Sequence, residues 1–102
     1  MLYILWEFQV SPANRDAFEQ LYGPRGAWAD LFRTDPAYLG TDLYRSTERP
    51  GWYLTLDRWR TRGAYEAFHR EHAEEYKALD SQGELLTERE VALGTFEGEP
   101  TT

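Results

Sequence analysis

The sequence predicts an α+β domain of the ferredoxin-like kind, an antiparallel sheet with helices in the order βα(α)ββα(α)β. Three observations predict it. Leu2 to Val10 is a dense β-branched and aromatic run stopped by Ser11-Pro12. Tyr38 to Arg45 and Trp52 to Trp59 are two more strand patterns joined by the short turn Ser46-Thr47-Glu48-Arg49-Pro50-Gly51, which favours a hairpin. Apolar residues at helical spacing fill the intervals around them.

In the first strand Leu2, Ile4, Trp6, Phe8 and Val10 face one way, and Tyr3, Leu5, Glu7 and Gln9 the other. Neither side is plainly solvated, so the strand is expected to be covered on both faces. Ser11 is a candidate N-cap with Pro12 at the first helical position, where its missing N–H costs nothing. That helix is expected to run to Tyr22, with Phe18, Leu21 and Tyr22 on one face, and to end at Gly23-Pro24. Trp28, Leu31 and Phe32 repeat the spacing before Asp35-Pro36 closes a second short helix. After the hairpin, Thr61 caps a long helix over 62–79 with the stripe Tyr65, Phe68, His72, Tyr76 and Leu79. Glu66, Arg70 and Glu74 form i, i+4 opposite-charge pairs on its outer side. Ser81–Glu84 and Thr87–Glu90 both match the S/T-x-x-E capping box, and Val91 to Phe96 alternates. These predict a short helix near 84–87, a last strand over 90–96, and a frayed tail from Gly98.

The 102 residues fit one domain spanning 1–102. With 11 Lys plus Arg against 18 Asp plus Glu, the formal charge is −7, a field that repels phosphate backbones and argues against nucleic acid as a partner. No apolar run approaches the length of a membrane span, and the opening strand, broken by Glu7 and Gln9, lacks the basic start of a signal peptide. Neither a membrane nor a targeting segment is expected, and the cytoplasm is the default location. There is no Cys, which excludes disulfides and thiolate chemistry. His69 and His72 stand at i, i+3, not the i, i+4 spacing of helical zinc sites, so no metal is expected.

Helices on one side of such a sheet leave its other side bare, yet that side carries Tyr, Trp, Leu and Phe. Monomers seldom expose such a patch, so a second copy is the expected cover. The chain also resembles the antibiotic biosynthesis monooxygenase superfamily of dimeric α+β barrels. The stretches that carry the resemblance are FEQLYGPRGAWADLF (18–32), YLTLDRWRTRGAYEAF (53–68) and LLTEREVALGTF (85–96). Its YGPRGAW and LD-W segments are nearest to members whose reaction is unassigned. In the cofactor-free, quinone-forming members an Asn and a Trp lie four apart on a strand and a Tyr follows six later. Trp59 and Tyr65 fit that spacing, and Thr55 stands in the place of the Asn. The basic residue of those pockets has no counterpart here. Haem-degrading members carry a second Trp and a ligating His where this chain has Phe68 and Ala78, so haem is not expected.

The third strand concentrates the candidates. Tyr53, Thr55, Asp57 and Trp59 share one side, and Leu54, Leu56 and Arg58 share the other with Trp52. An aromatic and polar mixture of this kind suits a pocket that holds and orients a planar ligand. On the functional reading Trp59 and Tyr65 wall a cavity between sheet and helices. Thr55 or Asp57, with His72, then orients or deprotonates a phenolic substrate. Trp6, Trp28, Phe68 and Tyr76 are the candidate substrate contacts. On the structural reading Trp59 and Tyr65 are core, Asp57 pairs with a neighbouring Arg, His72 is a hydrogen-bonded structural histidine, and His69 is simply exposed. Glu7 is expected to be paired, with Arg45 or Arg58 a candidate partner, or to lie at the dimer seam or in the cavity. The resemblance implies an oxygenase needing no metal, flavin or other cofactor, acting on an aromatic or polyketide-like small molecule. A non-catalytic binding or accessory module of the same fold is the alternative.

Overall fold

In the computed structural model, which describes residues 1–100, four antiparallel strands form one sheet in the order β2-β3-β1-β4. They are β1 (Leu2–Gln9), β2 (Tyr38–Arg45), β3 (Trp52–Trp59) and β4 (Arg89–Glu97). A 3₁₀ turn, Pro12–Asn14, leads into α1 (Arg15–Tyr22), and α2 is Ala27–Phe32. After the hairpin come α3 (Arg62–Glu71) and α4 (Ala73–Glu84). This is the ferredoxin-like arrangement expected. No helix among the described residues is long and apolar enough to cross a membrane.

Pairing fixes which side chains share a face. β1 and β3 align Leu2 with Trp59, Ile4 with Asp57, Trp6 with Thr55 and Phe8 with Tyr53, and all of these point toward the helices. Two apolar clusters hold the layers together. Phe32 and Phe68 close over Leu2, Ile4 and Trp59, while Phe18, Leu21 and Tyr22 close over Phe8, Val10 and Tyr53. The reverse face carries Tyr3, Leu5, Leu54 and Leu56, with Tyr44 and Phe96 half exposed. Glu7 finds its partner there in Arg49 at 3.0 Å, not in Arg45 or Arg58. Arg49 also lies over the Trp52 ring, 4.1 Å from its centre.

Five local expectations need correction. Ser11 makes no side-chain cap, and its carbonyl instead accepts from Asn14 N–H, turning the first residues of the predicted helix into the 3₁₀ turn. The long helix bends at His72, where φ −116° and ψ 30° leave the helical well, and it continues to Glu84. The bend lets Phe68 pack on Trp59 while Tyr76 meets Trp28, each pair with ring centres 5.2 Å apart. Ser81 lies inside α4, where its hydroxyl donates to Lys77 C=O at 3.0 Å instead of capping a new helix. No separate helix forms at 84–87, and Thr87 donates to Glu90 Oε1 just ahead of β4. The expected Glu66–Arg70 and Arg70–Glu74 pairs do not form among the described residues, and Glu66 meets Arg62 instead at 3.9 Å. The tail expected to fray from Gly98 is irregular over 98–100, and its last two residues lie outside the described ones.

Candidate functional site

Between the sheet's helical face and α2, α3 and α4 lies a half-open cavity of about 260 Å³. Its floor is sheet: Ile4, Trp6 and Phe8 from β1, Thr41 from β2, and Thr55 and Asp57 from β3. Tyr22, Trp28, Phe32, Tyr65 and Tyr76 form its aromatic walls. The aromatic residues that read as core stripes in the sequence therefore do two jobs. Their inner edges pack, and their outer surfaces line the space. Gly83 allows one close approach, because a Cβ there would stand 2.1 Å from the Tyr22 hydroxyl.

Asp57 sits at one end of the floor. Its cross-strand neighbour Thr41 donates a hydrogen bond to Asp57 Oδ1 at 2.5 Å. That spends the Thr41 proton, so Tyr38, 2.6 Å from Thr41 Oγ1, donates in turn. The chain Tyr38–Thr41–Asp57 fixes the carboxylate. Arg58 points to the reverse face and pairs with Asp42, so the expected Arg–Asp57 pair does not form. Burial therefore dominates and raises the Asp57 pKa to about 6, against the opposing pull of the Thr41 bond and the Arg58 charge. Burial, with the negative charge of Asp57 behind it, also raises the Tyr65 pKa. That phenol stays protonated at neutral pH and is available as a donor.

The candidates separate on this geometry. Thr55, Asp57, Tyr65, Trp6, Trp28 and Tyr76 are brought together around one space. Trp59 is not part of that lining. It is fully buried in the core, its ring edge-on to Tyr65 at 5.6 Å and to Phe32 at 5.7 Å. Phe68 is likewise core, beneath Tyr65 and not beside the cavity. His72 is also outside, since the bend between α3 and α4 stacks its ring on Phe68 at 4.0 Å. There Nδ1 lies 3.1 Å from the Phe68 carbonyl. The strand period placed Trp59 on the correct side but could not say that Tyr65 would cover it.

Sequence reasoning missed the cavity mouth. His69 is exposed as expected, yet it stands at that mouth with its ring 4.1 Å from Tyr76. Asp80 and Glu84 from α4 and Glu90 from β4 complete the rim. The spacing Tyr76, Asp80, Glu84 on one helix face carried a signal, but Glu90 joins them only through the pairing of Phe8 with Glu90. Among the described residues no group of three or more His, Cys, Asp or Glu is arranged to hold a metal ion.

Comparison with known proteins adds the following. The family model for antibiotic biosynthesis monooxygenase matches residues 1–79. Among solved structures, a mutant of SnoaB from Streptomyces nogalater, described as a cofactor-independent oxygenase, superposes with a TM-score of 0.76 at 18% identity. That match covers 98% of this chain and 94% of that one. Rv0793 from Mycobacterium tuberculosis gives 0.70 at 22% identity over 98% of this chain and 96% of its own. A conserved protein from Methanosarcina mazei Go1 gives 0.71 at 14% identity over 96% and 92%. At these identities the structural likeness speaks for the fold. A comparison with curated proteins found no match.

Proposed function

The chain belongs to the antibiotic biosynthesis monooxygenase family, and from that premise we propose that it oxygenates an aromatic or polyketide-like small molecule without a metal or flavin. The observation that carries the reading is Asp57, a fixed carboxylate with a pKa of about 6 at the floor of an aromatic-walled cavity. A base poised near neutrality can take the proton of a bound phenol or enol and hold it. Trp6, Trp28 and Tyr76 would pack against the ring, and Tyr65 and Thr55 would donate to the oxygen that becomes anionic. The description of SnoaB as cofactor-independent supports the same chemistry here.

Electron balance narrows the substrate. Without an added reductant, the organic molecule must supply all four electrons that O₂ accepts. Oxidation of an activated CH₂ to C=O does so: one oxygen atom stays as the new carbonyl, and the other leaves as water with the two hydrogens. Anthrone is a suitable probe. Oxygen uptake and anthraquinone formation should fall about 100-fold or more in Asp57→Asn. They should also fall in Tyr65→Phe, and undiminished turnover in Asp57→Asn would remove the proposed base.

Thr55, standing where the resembled enzymes carry Asn, favours a second reading: a binding module of the same fold that holds the ring without oxidising it. Tight binding of anthrone with no oxygen uptake would select that reading. In either case we infer a homodimer. Tyr3, Leu5, Leu54, Leu56 and Phe96 form an apolar reverse face that a second copy would cover.

A further inference from the structure

We propose that the cavity selects a cationic ligand: an aromatic ring that carries a protonated amine, with the ammonium group lodged among Asp80, Glu84 and Glu90. The inference rests on the reading that this cavity binds an aromatic molecule, but not on whether that molecule is oxidised.

The charge of the lining is one-sided. Asp57, Asp80, Glu84 and Glu90 face the space, and among the described residues that line it there is no Lys or Arg. Only His69 is basic. The three rim carboxylates come from α4 and β4, and no Lys or Arg of the lining stands with them. None of the three takes part in a salt bridge among the described residues. Burial is the main cause that raises the pKa values of Asp80 and Glu90, and repulsion from the neighbouring carboxylates adds to it, against the opposing pull of His69 on Asp80 and of the Thr87 hydrogen bond on Glu90.

The walls beside that field suit a cation as well. Tyr22, Trp28 and Tyr76 present ring faces and edges close to the rim, with Tyr22 and Trp28 centred 6.3 Å apart and Trp28 and Tyr76 5.2 Å apart. Indole and phenol faces attract ammonium groups through the ring quadrupole. Tyr76 supplies an independent mark of an unfilled polar role. It is only 8% exposed, it lines the cavity, and its hydroxyl has no hydrogen-bond partner. A phenol oxygen without a partner is a ready acceptor for an ammonium N–H. The two ends of the floor also differ in place. Asp57 pairs across from Ile4, and Glu90 across from Phe8. Four strand residues separate these positions by about 13 Å. A ring that meets Asp57 can thus carry an amine toward the rim.

Three catechols of matched size test this: dopamine, 4-ethylcatechol and 3,4-dihydroxyphenylacetate. They end in an ammonium, a neutral and a carboxylate group. Binding is read from quenching of Trp fluorescence at pH 7 and low salt. Dopamine should bind about tenfold more tightly than 4-ethylcatechol, the size of one desolvated cation–π contact, and the carboxylate should bind most weakly. Replacing the exposed rim together (Asp80→Asn, Glu84→Gln, Glu90→Gln) should erase the dopamine preference and leave the 4-ethylcatechol Kd within about twofold of its original value. Equal or inverted ranking in the unaltered protein would overturn the proposal. So would absent dopamine binding, or a preference that survives in the neutral-rim variant. Anthrone turnover is scored separately. Turnover without amine preference sinks only the cation claim, whereas amine preference without turnover sinks only the oxygenase reading.

Discussion

Asp57→Asn should make the protein more stable at neutral pH, and the size of the gain follows from the site. In the fold the Asp57 pKa is raised from 3.8 to about 6, chiefly by burial. A raised acid binds its proton more tightly in the folded state than in the unfolded one, so stability falls as pH climbs from about 4 to about 6. At 1.36 kcal/mol per factor of ten, the full penalty above pH 6 is about 3 kcal/mol. The amide of Asn needs its own partners, which reduces the expected net gain to about 1–2 kcal/mol. Its carbonyl can still accept from Thr41, so the local geometry survives. For a domain of this size that gain corresponds to a rise in Tm of several degrees, roughly 4–8 °C per kcal/mol. Thermal melts of both proteins from pH 3.5 to 8 give the answer. Below about pH 4, where Asp57 is protonated in both states, the variant should be the less stable by that amide cost of about 1–2 kcal/mol, and the curves should cross as pH passes through 4 to 6. Parallel curves, or a variant less stable at pH 7.5 than at pH 4 relative to the parent, would refute the burial argument.

The pH dependence of anthrone turnover should follow from the same group. kcat/KM should rise to a plateau with a midpoint near 6, and this limb should vanish in Asp57→Asn. Trp59→Ala should cost about 3–5 kcal/mol on denaturant titration because it empties a fully buried site. Trp59→Phe should leave the 4-ethylcatechol Kd within about twofold, since the indole does not line the cavity. Gly83→Ala would drive a Cβ to 2.1 Å from the Tyr22 hydroxyl. It should lower stability by about 1–3 kcal/mol and weaken ring binding as Tyr22 swings into the cavity. Sedimentation at micromolar concentration should give twice the chain mass, and Phe96→Glu on the exposed reverse face should return the monomer.

The strands were legible because their periodicity is local. Residues 38–45 and 52–59 are short aromatic-rich runs bounded by Pro and Gly turns, and β2 and β3 occupy those spans. The helices were legible as far as their apolar stripes reached. The bend at His72 was not, because no Gly or Pro marks it and it answers to Trp59 and Trp28, both distant in sequence. The same limit applied to the site. Period 2 put Thr55, Asp57 and Trp59 on one face, but depth beneath the helices decides which of them meets the cavity. Trp59 lies under Tyr65, while Asp57, two residues earlier, lies open to the space. The acidic rim depends on β4 lying beside β1, with a register shift near Leu5 and Trp6 that brings Glu90 opposite Phe8. No window of sequence contains that information. His69 and His72 were both read from helical phase, and only the bend explains why the exposed one sits at the mouth.

On the proposed reading a planar ring docks on the Trp6–Trp28 side of the cavity with its hydroxyl on Asp57. A crystal structure of the protein soaked with 4-ethylcatechol tests it most directly. Planar density is expected beside Trp28, with a ring oxygen about 2.5–3.0 Å from an Asp57 carboxylate oxygen. Density for the ring only on the reverse face of the sheet, or a cavity holding nothing but water at saturating catechol, would contradict it.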